Sequence, residues 1–266
     1  MSGGVLTSAA PDDIIRMEDE KRRMKRVLTC NNIDLFAYSN RKIVSKPVLG
    51  VVVEVSGLGF ADMYREETDK GIRYAGKGIL YIRPYHNPWA WMNDGTVRFC
   101  DDVVDVLADE LGIGEEVPFA YIGHSMGGQQ ALMYTIKSKR TPVCCAVDCA
   151  VCDLVYHFGE RADLPRTLYS AYCGCDAPTI EDALMTGSPV HNADRFPAKT
   201  KYIIYHCVED GAVNISAHSR KLVPLMKERG LDVYYEEIPG MGHCDLPDEV
   251  RNRAERQIIE TITERK

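Results

Sequence analysis

The sequence predicts an α/β fold: a mostly parallel central sheet with helices on both faces and a small helical cap inserted in its later half. Three observations carry this. Short apolar runs bounded by turn residues recur along the chain, helix-forming segments separate them, and about fifty residues interrupt the alternation between two late runs. Apolar runs of strand length mark strands buried on both faces, and strands alternating with helices pair in parallel. A length of 266 residues, 45% hydrophobic and 27% charged, accommodates one large domain of this class.

The first thirty residues are rich in charge and are expected to form a peripheral helix or arm over 1–30, leaving 31–266 as a single domain. Within the arm, the acidic 18–20 followed by the basic 21–26 reads as a solvated helix face rather than a binding patch. Ile33 to Tyr38 alternates and predicts an outer strand. Val48 to Val55, Gly78 to Ile82, Phe119 to Ile122, Val143 to Val147 and Lys201 to Tyr205 predict buried strands, and Asp232 to Ile238 a second outer one. Helices are expected at Thr96 to Leu111, Met126 to Ser138, Ser216 to Arg229 and Asp248 to Thr263. The interruption at about 153–199 is too long for a plain crossover and carries helical patterns at Leu164 to Tyr172 and Ile180 to Thr186, so it predicts a cap.

Composition narrows the function. A net charge of -7 offers no electrostatic footprint for nucleic acid. No stretch approaches the ~20 apolar residues that cross a bilayer, and no charged segment followed by an apolar one opens the chain, so no membrane association and a cytoplasmic location are expected. The ten cysteines fit a reducing compartment, since Cys144 and Cys145 lie in an apolar strand where a thiol acts as a small hydrophobe. Cys149-x-x-Cys152 with Cys173-x-Cys175 can be drawn as a four-thiolate zinc site. The apolar setting of the first pair and the unusual spacing of the second argue against it, and no metal or organic cofactor is expected.

Residues 119 to 128, Phe-Ala-Tyr-Ile-Gly-His-Ser-Met-Gly-Gly, set Ser125 between two glycines, after an apolar run and before a helix. A serine at a sharp strand-to-helix turn is exposed as a nucleophile, and only small residues two positions away let strand and helix approach so closely. Serine is a poor nucleophile near neutral pH and needs a base, which in turn needs an orienting group. Among the seven histidines, His243 in Pro239-Gly240-Met241-Gly242-His243 is best placed, following the last strand. Asp210, a few residues after the strand Lys201 to Tyr205, is the candidate acid; Glu209 and Asp148 are the alternatives.

With these residues in view the chain resembles an α/β-hydrolase from Val48 onward. The order Ser125, Asp210, His243 is that family's order; Asp210-Gly211-Ala212-Val213 is similar to its acid segment and Gly240-Met241-Gly242-His243 to its histidine loop. The resemblance implies an oxyanion hole from the backbone N–H of Met126 and a second N–H in Ser56-Gly57-Leu58-Gly59-Phe60. Leu58 is preferred by position, with Gly57 and Gly59 beside it. The loop Arg83 to Asn93 holds both tryptophans. Trp89, Trp91 and Tyr85 either line a substrate pocket or pack the loop against the body, and Tyr156, with His157, Tyr169 and Tyr172 of the insertion, would complete the pocket.

Gly-x-Ser-x-Gly-Gly, Ser188-Pro189 and the long insertion resemble the catalytic domains of prolyl-oligopeptidase-like enzymes and the related small acyl esterases. Those peptidases usually carry an N-terminal propeller, for which fewer than fifty residues before the first core strand leave no room. The expected activity is therefore hydrolysis of a small-molecule carboxylic ester with a short or aromatic acyl group. A narrow-specificity peptidase or amidase is the alternative, and a non-catalytic binding module the alternative of another class. Oligomeric state is left open.

Overall fold

A computed structural model describes residues 27–264. Its strands are β1 (Ala37–Ser39), β2 (Gly50–Glu54), β3 (Ile79–Pro84), β4 (Phe119–His124), β5 (Cys144–Asp148), β6 (Lys201–Cys207) and β7 (Val233–Ile238). In chain order the helices are α1 (Asp69–Ala75), α2 (Asp94–Leu111), α3 (Met126–Lys137), α4 (Leu154–Glu160), α5 (Leu164–Tyr172), α6 (Ile180–Met185), α7 (Ser219–Glu228) and α8 (Asp248–Thr263). The strands form one sheet in the order β1-β3-β2-β4-β5-β6-β7. Only β1 runs antiparallel to its neighbour; every other pair is parallel.

Alternating side chains divide the sheet between two cores. Val51, Val53, Leu80, Ile82, Tyr121, Cys145, Val147 and Ile204 pack against α2, α3 and α7. Their neighbours Val52, Tyr81, Ala120, Ile122, Cys144, Ala146, Ile203 and Tyr205 pack against α1 and α8 on the other face. Each large aliphatic group withdrawn from water in this way stabilises the fold by about 1.5–3 kcal/mol before chain entropy is counted. The helix that follows the tryptophan loop starts where Asn93 accepts the N–H of Thr96, and it stops at Gly112, whose φ of 66° turns the chain out of the helix.

The insertion between β5 and β6 holds α4, α5, α6 and the 3-10 segment Pro189–Arg195. Leu154, Leu164, Leu168, Tyr172, Ala183 and Leu184 bury one face of each cap helix over Trp91, Met126 and Val213, so the cap sits on the nucleophile's helix and the acid's loop. Short helices of this length are marginal alone; this shared core holds them.

Two expectations need correcting. The outer strand expected over Ile33 to Tyr38 is confined to Ala37–Ser39, because Ile33–Leu35 forms a 3-10 turn closed by Phe36 N–H on Ile33 O. Leu35 is 67% exposed, so the apolar alternation there did not mark one buried face. Helices α1 and α4 were not anticipated, each being only seven residues long. The arm expected over 1–30 and its charged run fall on residues 1–26 outside the described part, apart from its last four positions. Among the described residues no helix is long and apolar enough to cross a membrane.

Candidate active site

The order of strands reverses between β2 and β4, and such a switch opens a crevice at the strands' C-terminal ends. Ser125 stands there, between β4 and α3, with φ 56° and ψ -127°, a conformation few non-glycine residues adopt. Two glycines make the turn possible. A Cβ on Gly123 would lie 2.2 Å from Gly127 O, and one on Gly127 would lie 2.5 Å from Val55 O. The serine backbone is clamped from β5: its N–H donates to Asp148 O at 3.0 Å, and its carbonyl accepts from Val151 N–H at 3.2 Å.

The loops after β6 and β7 bring the other two residues to it. His243 Nε2 lies 2.8 Å from Ser125 Oγ, and His243 Nδ1 lies 2.7 Å from Asp210 Oδ2. Burial alone would raise the Asp210 carboxyl, but hydrogen bonds from His206, His243 and the Val213 N–H outweigh it and hold the group ionised, well below the usual carboxylate range. Its second oxygen accepts the N–H groups of Ala212 and Val213 at 2.8 and 2.9 Å. The ionised carboxylate accepts a hydrogen bond from Nδ1–H, which keeps the ring proton on Nδ1 and leaves Nε2 of the neutral ring to accept the serine proton. For His243, burial favours the neutral ring, yet Asp210 and the Cys149 sulfur together lift its pKa to about 9. The alternative acids stand elsewhere. Glu209 accepts the Met241 N–H at 3.0 Å, and Asp148 serves through its backbone carbonyl.

The N–H of Met126 opens α3, where no intrahelical carbonyl reaches it. Across the crevice, the loop after β2 is pinned at several points. Ser56 N–H donates to His86 Nε2 at 3.1 Å, Ser56 O accepts from Gln130 Nε2 at 2.8 Å, and Arg83 holds Ser56 Oγ while stacking 4.0 Å over Phe60. Gly59 N–H is committed to Pro88 O at 3.0 Å, which removes Gly59 as an oxyanion donor. The N–H groups of Gly57 and Leu58 have no acceptor among the described residues.

The aromatic candidates separate. Trp89 is 48% exposed and Tyr156 46% exposed, with the Tyr156 ring edge-on to His218. Trp91 is wholly enclosed: its Nε1 donates to Thr167 Oγ1, and its carbonyl accepts from Tyr172 Oη and Gln129 Nε2. That placement is the packing alternative rather than a pocket wall, and it makes Trp91 the joint between body and cap. Tyr85 is likewise occupied within the body, its Oη accepting the Tyr64 N–H at 2.8 Å.

Several residues at the site carried no signal in the sequence. His206, in β6, lies with Nε2 3.5 Å from Asp210 Oδ2 and Nδ1 2.6 Å from Ser219 Oγ, propping the acid from behind. Glu160 of α4 accepts from both His157 and His218 and from Asn214 N–H, tying the cap to the acid's loop. Cys149 has its sulfur beside His243 and Cys244, while Cys173 and Cys175 are exposed beyond α5, so the four-thiolate arrangement does not form. Behind the turn lies a cavity of about 560 Å³ lined by Gly123, His124, Asp148, Cys244 and the buried Glu54–Lys70 pair.

Residues 85–263, about two thirds of the chain, match the model of the prolyl oligopeptidase family, and that stretch contains Ser125, Asp210 and His243. No curated protein matches the chain. Among solved structures, puromycin hydrolase aligns with TM-score 0.64 and 18% identity over 84% of this chain and 35% of its own. The acylaminoacyl peptidase of Pyrococcus horikoshii aligns with TM-score 0.63 and 12% identity over 81% of this chain and 36% of its own. A lipase in its open form gives TM-score 0.55 and 14% identity, over 86% of this chain and 93% of its own. The chain thus spans about a third of the length of puromycin hydrolase and of the acylaminoacyl peptidase. At these identities the likeness establishes the α/β-hydrolase fold.

Proposed function

The chain belongs to the prolyl oligopeptidase family and is a serine hydrolase, and from that premise we propose that it cleaves amide bonds of small acylated or aminoacyl substrates, as a narrow-specificity peptidase or amidase. The observation that carries the reading is the Ser125–His243–Asp210 relay lying wholly inside the family-matched stretch. An acylaminoacyl peptidase and a puromycin-hydrolyzing peptidase, both peptidases by name, support amide over ester substrates.

In this mechanism Ser125 Oγ attacks the carbonyl carbon as His243 Nε2 takes its proton, and Asp210 holds the imidazolium that forms. The N–H groups of Met126 and of Leu58 or Gly57 receive the oxyanion. His243 then gives the proton to the departing amine as the C–N bond breaks, and finally draws a proton from the water that frees the acyl group. The buried thiols of Cys100, Cys144 and Cys145 are consistent with work in a reducing, cytoplasmic compartment.

Ester cleavage is the second reading, favoured by the lipase, 93% of whose chain corresponds to 86% of this one. Matched p-nitroanilide and p-nitrophenyl ester pairs carrying the same acyl or aminoacyl groups separate the two. The amide reading expects measurable kcat/KM on the anilides and a Ser125→Ala variant inert to both series. Turnover of the esters with every anilide inert would overturn it in favour of the esterase.

A further inference from the structure

Two cysteines stand beside the base. Cys244 follows His243 directly and holds its Sγ 3.5 Å from His243 Nε2. Cys149, the residue after β5, is fully buried, and its Sγ accepts the N–H of Cys244 at 3.3 Å and that of Cys207 at 3.4 Å. The two sulfurs and one imidazole nitrogen all lie within 4.8 Å of one another. Ser125, Cys149 and Cys244 are three of the five non-glycine residues with positive φ in the described chain, so the backbone is bent to bring these groups together.

Two thiolates and an imidazole are the donor set of a thiophilic divalent cation. Metal bonds of about 2.3 Å to sulfur and about 2.0 Å to nitrogen, at tetrahedral angles, set the two ligand atoms about 3.5 Å apart. Cys244 and His243 already stand at that separation. The outer groups fit as well. His243 Nδ1 is bonded to the Asp210 carboxylate, the pairing that orients a metal-binding histidine and leaves Nε2 as its ligand. The two backbone N–H groups on Cys149 Sγ suit a thiolate.

Among the described residues two other groups of potential ligands hold at most one cysteine each, and in each a histidine is bonded to fixed backbone groups rather than to a serine hydroxyl that can turn away. In His157–Glu160–His218, His218 Nδ1 accepts the N–H groups of Cys152 and Asp153 while Nε2 bonds Glu160, so both ring nitrogens are occupied. In Cys149–His206–Asp210, both nitrogens of His206 are taken by Ser219 and the Val213 carbonyl.

We propose that Cys149, Cys244 and His243 form an inhibitory site for a thiophilic divalent cation such as Zn²⁺, which takes His243 Nε2 from Ser125 and stops hydrolysis until the cation is removed. On binding, two metal–sulfur bonds form as the thiols release their protons to solvent, a metal–nitrogen bond forms at His243 Nε2 as the proton held there on the charged ring is also released to solvent, and the Ser125–His243 hydrogen bond breaks. No oxidant enters. The inhibition rests on His243 being the base of the reaction proposed above, whereas the binding does not.

The test uses the full chain. Zn²⁺ is titrated against hydrolysis and then removed with a chelator, for the natural chain and for Cys244→Ser, each relative to its own zinc-free rate. In parallel Cd²⁺ is titrated into Ser125→Ala, with and without Cys244→Ser, and the thiolate-to-cadmium absorption is read. The expected result is chelator-reversible inhibition that weakens at least tenfold in Cys244→Ser, with a smaller cadmium band in the Cys244→Ser chain. Absorption from the exposed Cys173 and Cys175 is common to both chains and cancels. Cys149→Ser alters a buried position, so the half-buried Cys244 carries the comparison. Equal zinc sensitivity in the two chains, or cadmium bands of equal height, would overturn the site. A Cys244-dependent band in a chain inert to all amides and esters would overturn the functional reading and leave the cation site standing.

Discussion

His243 Nδ1 stands 2.7 Å from an Asp210 oxygen whose side chain is closed to solvent, and this contact decides which nitrogen of the base faces the nucleophile. In Asp210→Asn the amide NH₂ would donate to Nδ1, moving the ring proton to Nε2, where it blocks proton transfer from Ser125. The variant is expected to keep its fold by circular dichroism and to lose about 10⁴ in kcat with little change in KM. A loss under tenfold would mean that Asp210 does not orient the base.

The pH profile carries an independent signature. Burial works against the charged ring of His243, but Asp210 and Cys149 prevail and raise its pKa to about 9, above the ordinary 6.5. Only the neutral ring can take the serine proton, so kcat/KM should climb with pH and level off above an inflection higher than 6.5. With a chelator in the buffer, Cys149→Ala should move that inflection downward. An inflection at or below the ordinary value in the natural chain would contradict the stated balance of burial and partners.

The nucleophile's turn makes a stability prediction. A Cβ at Gly123 would meet the Gly127 carbonyl oxygen at 2.2 Å, and a backbone atom cannot rotate away as a flexible side chain does. Gly123→Ala should destabilise the chain by about 1–3 kcal/mol or more, read as a lowered denaturant midpoint, and should displace Ser125 so that activity falls as well. An unchanged midpoint would show that β4 and α3 do not approach so closely.

The two tryptophans should behave in opposite ways. Trp91 is enclosed beneath the cap, so Trp91→Ala is expected to cost about 3–5 kcal/mol and to loosen α4 to α6, seen as faster amide hydrogen exchange there. Trp89 is 48% exposed, and Trp89→Ala should leave stability within about 0.5 kcal/mol while raising KM if the ring meets substrate. Equal stability losses in both would refute this division of labour.

The parts of the molecule legible in the sequence are those fixed by local pattern. Apolar runs located β2 to β6, because strands buried on both faces admit little else, and the glycines around Ser125 announced a turn that sterics enforce. Asp210 and His243 were legible because each follows a recognisable strand. Less visible were residues whose role comes from contacts between distant segments. His206 reads as a strand residue until Asp210 folds back behind it, and Glu160 joins Asn214 across 54 positions. Trp91 was ambiguous for the same reason, since only the cap, 76 residues on at Thr167, closes over it. Cys149 read as a buried thiol in an apolar run, and its position beside the base emerges only when the loops after β5 and β7 meet.

The central claim is that Ser125 is the nucleophile and His243 its base. Treating the folded chain with an active-site-directed fluorophosphonate and mapping the adduct by mass spectrometry tests this most directly. One equivalent on Ser125, lost when the chain is unfolded beforehand and reduced at least about a hundredfold in rate by His243→Ala, is the expected result. A folded, metal-free chain that takes no label at Ser125, or takes it equally fast without His243, would contradict it.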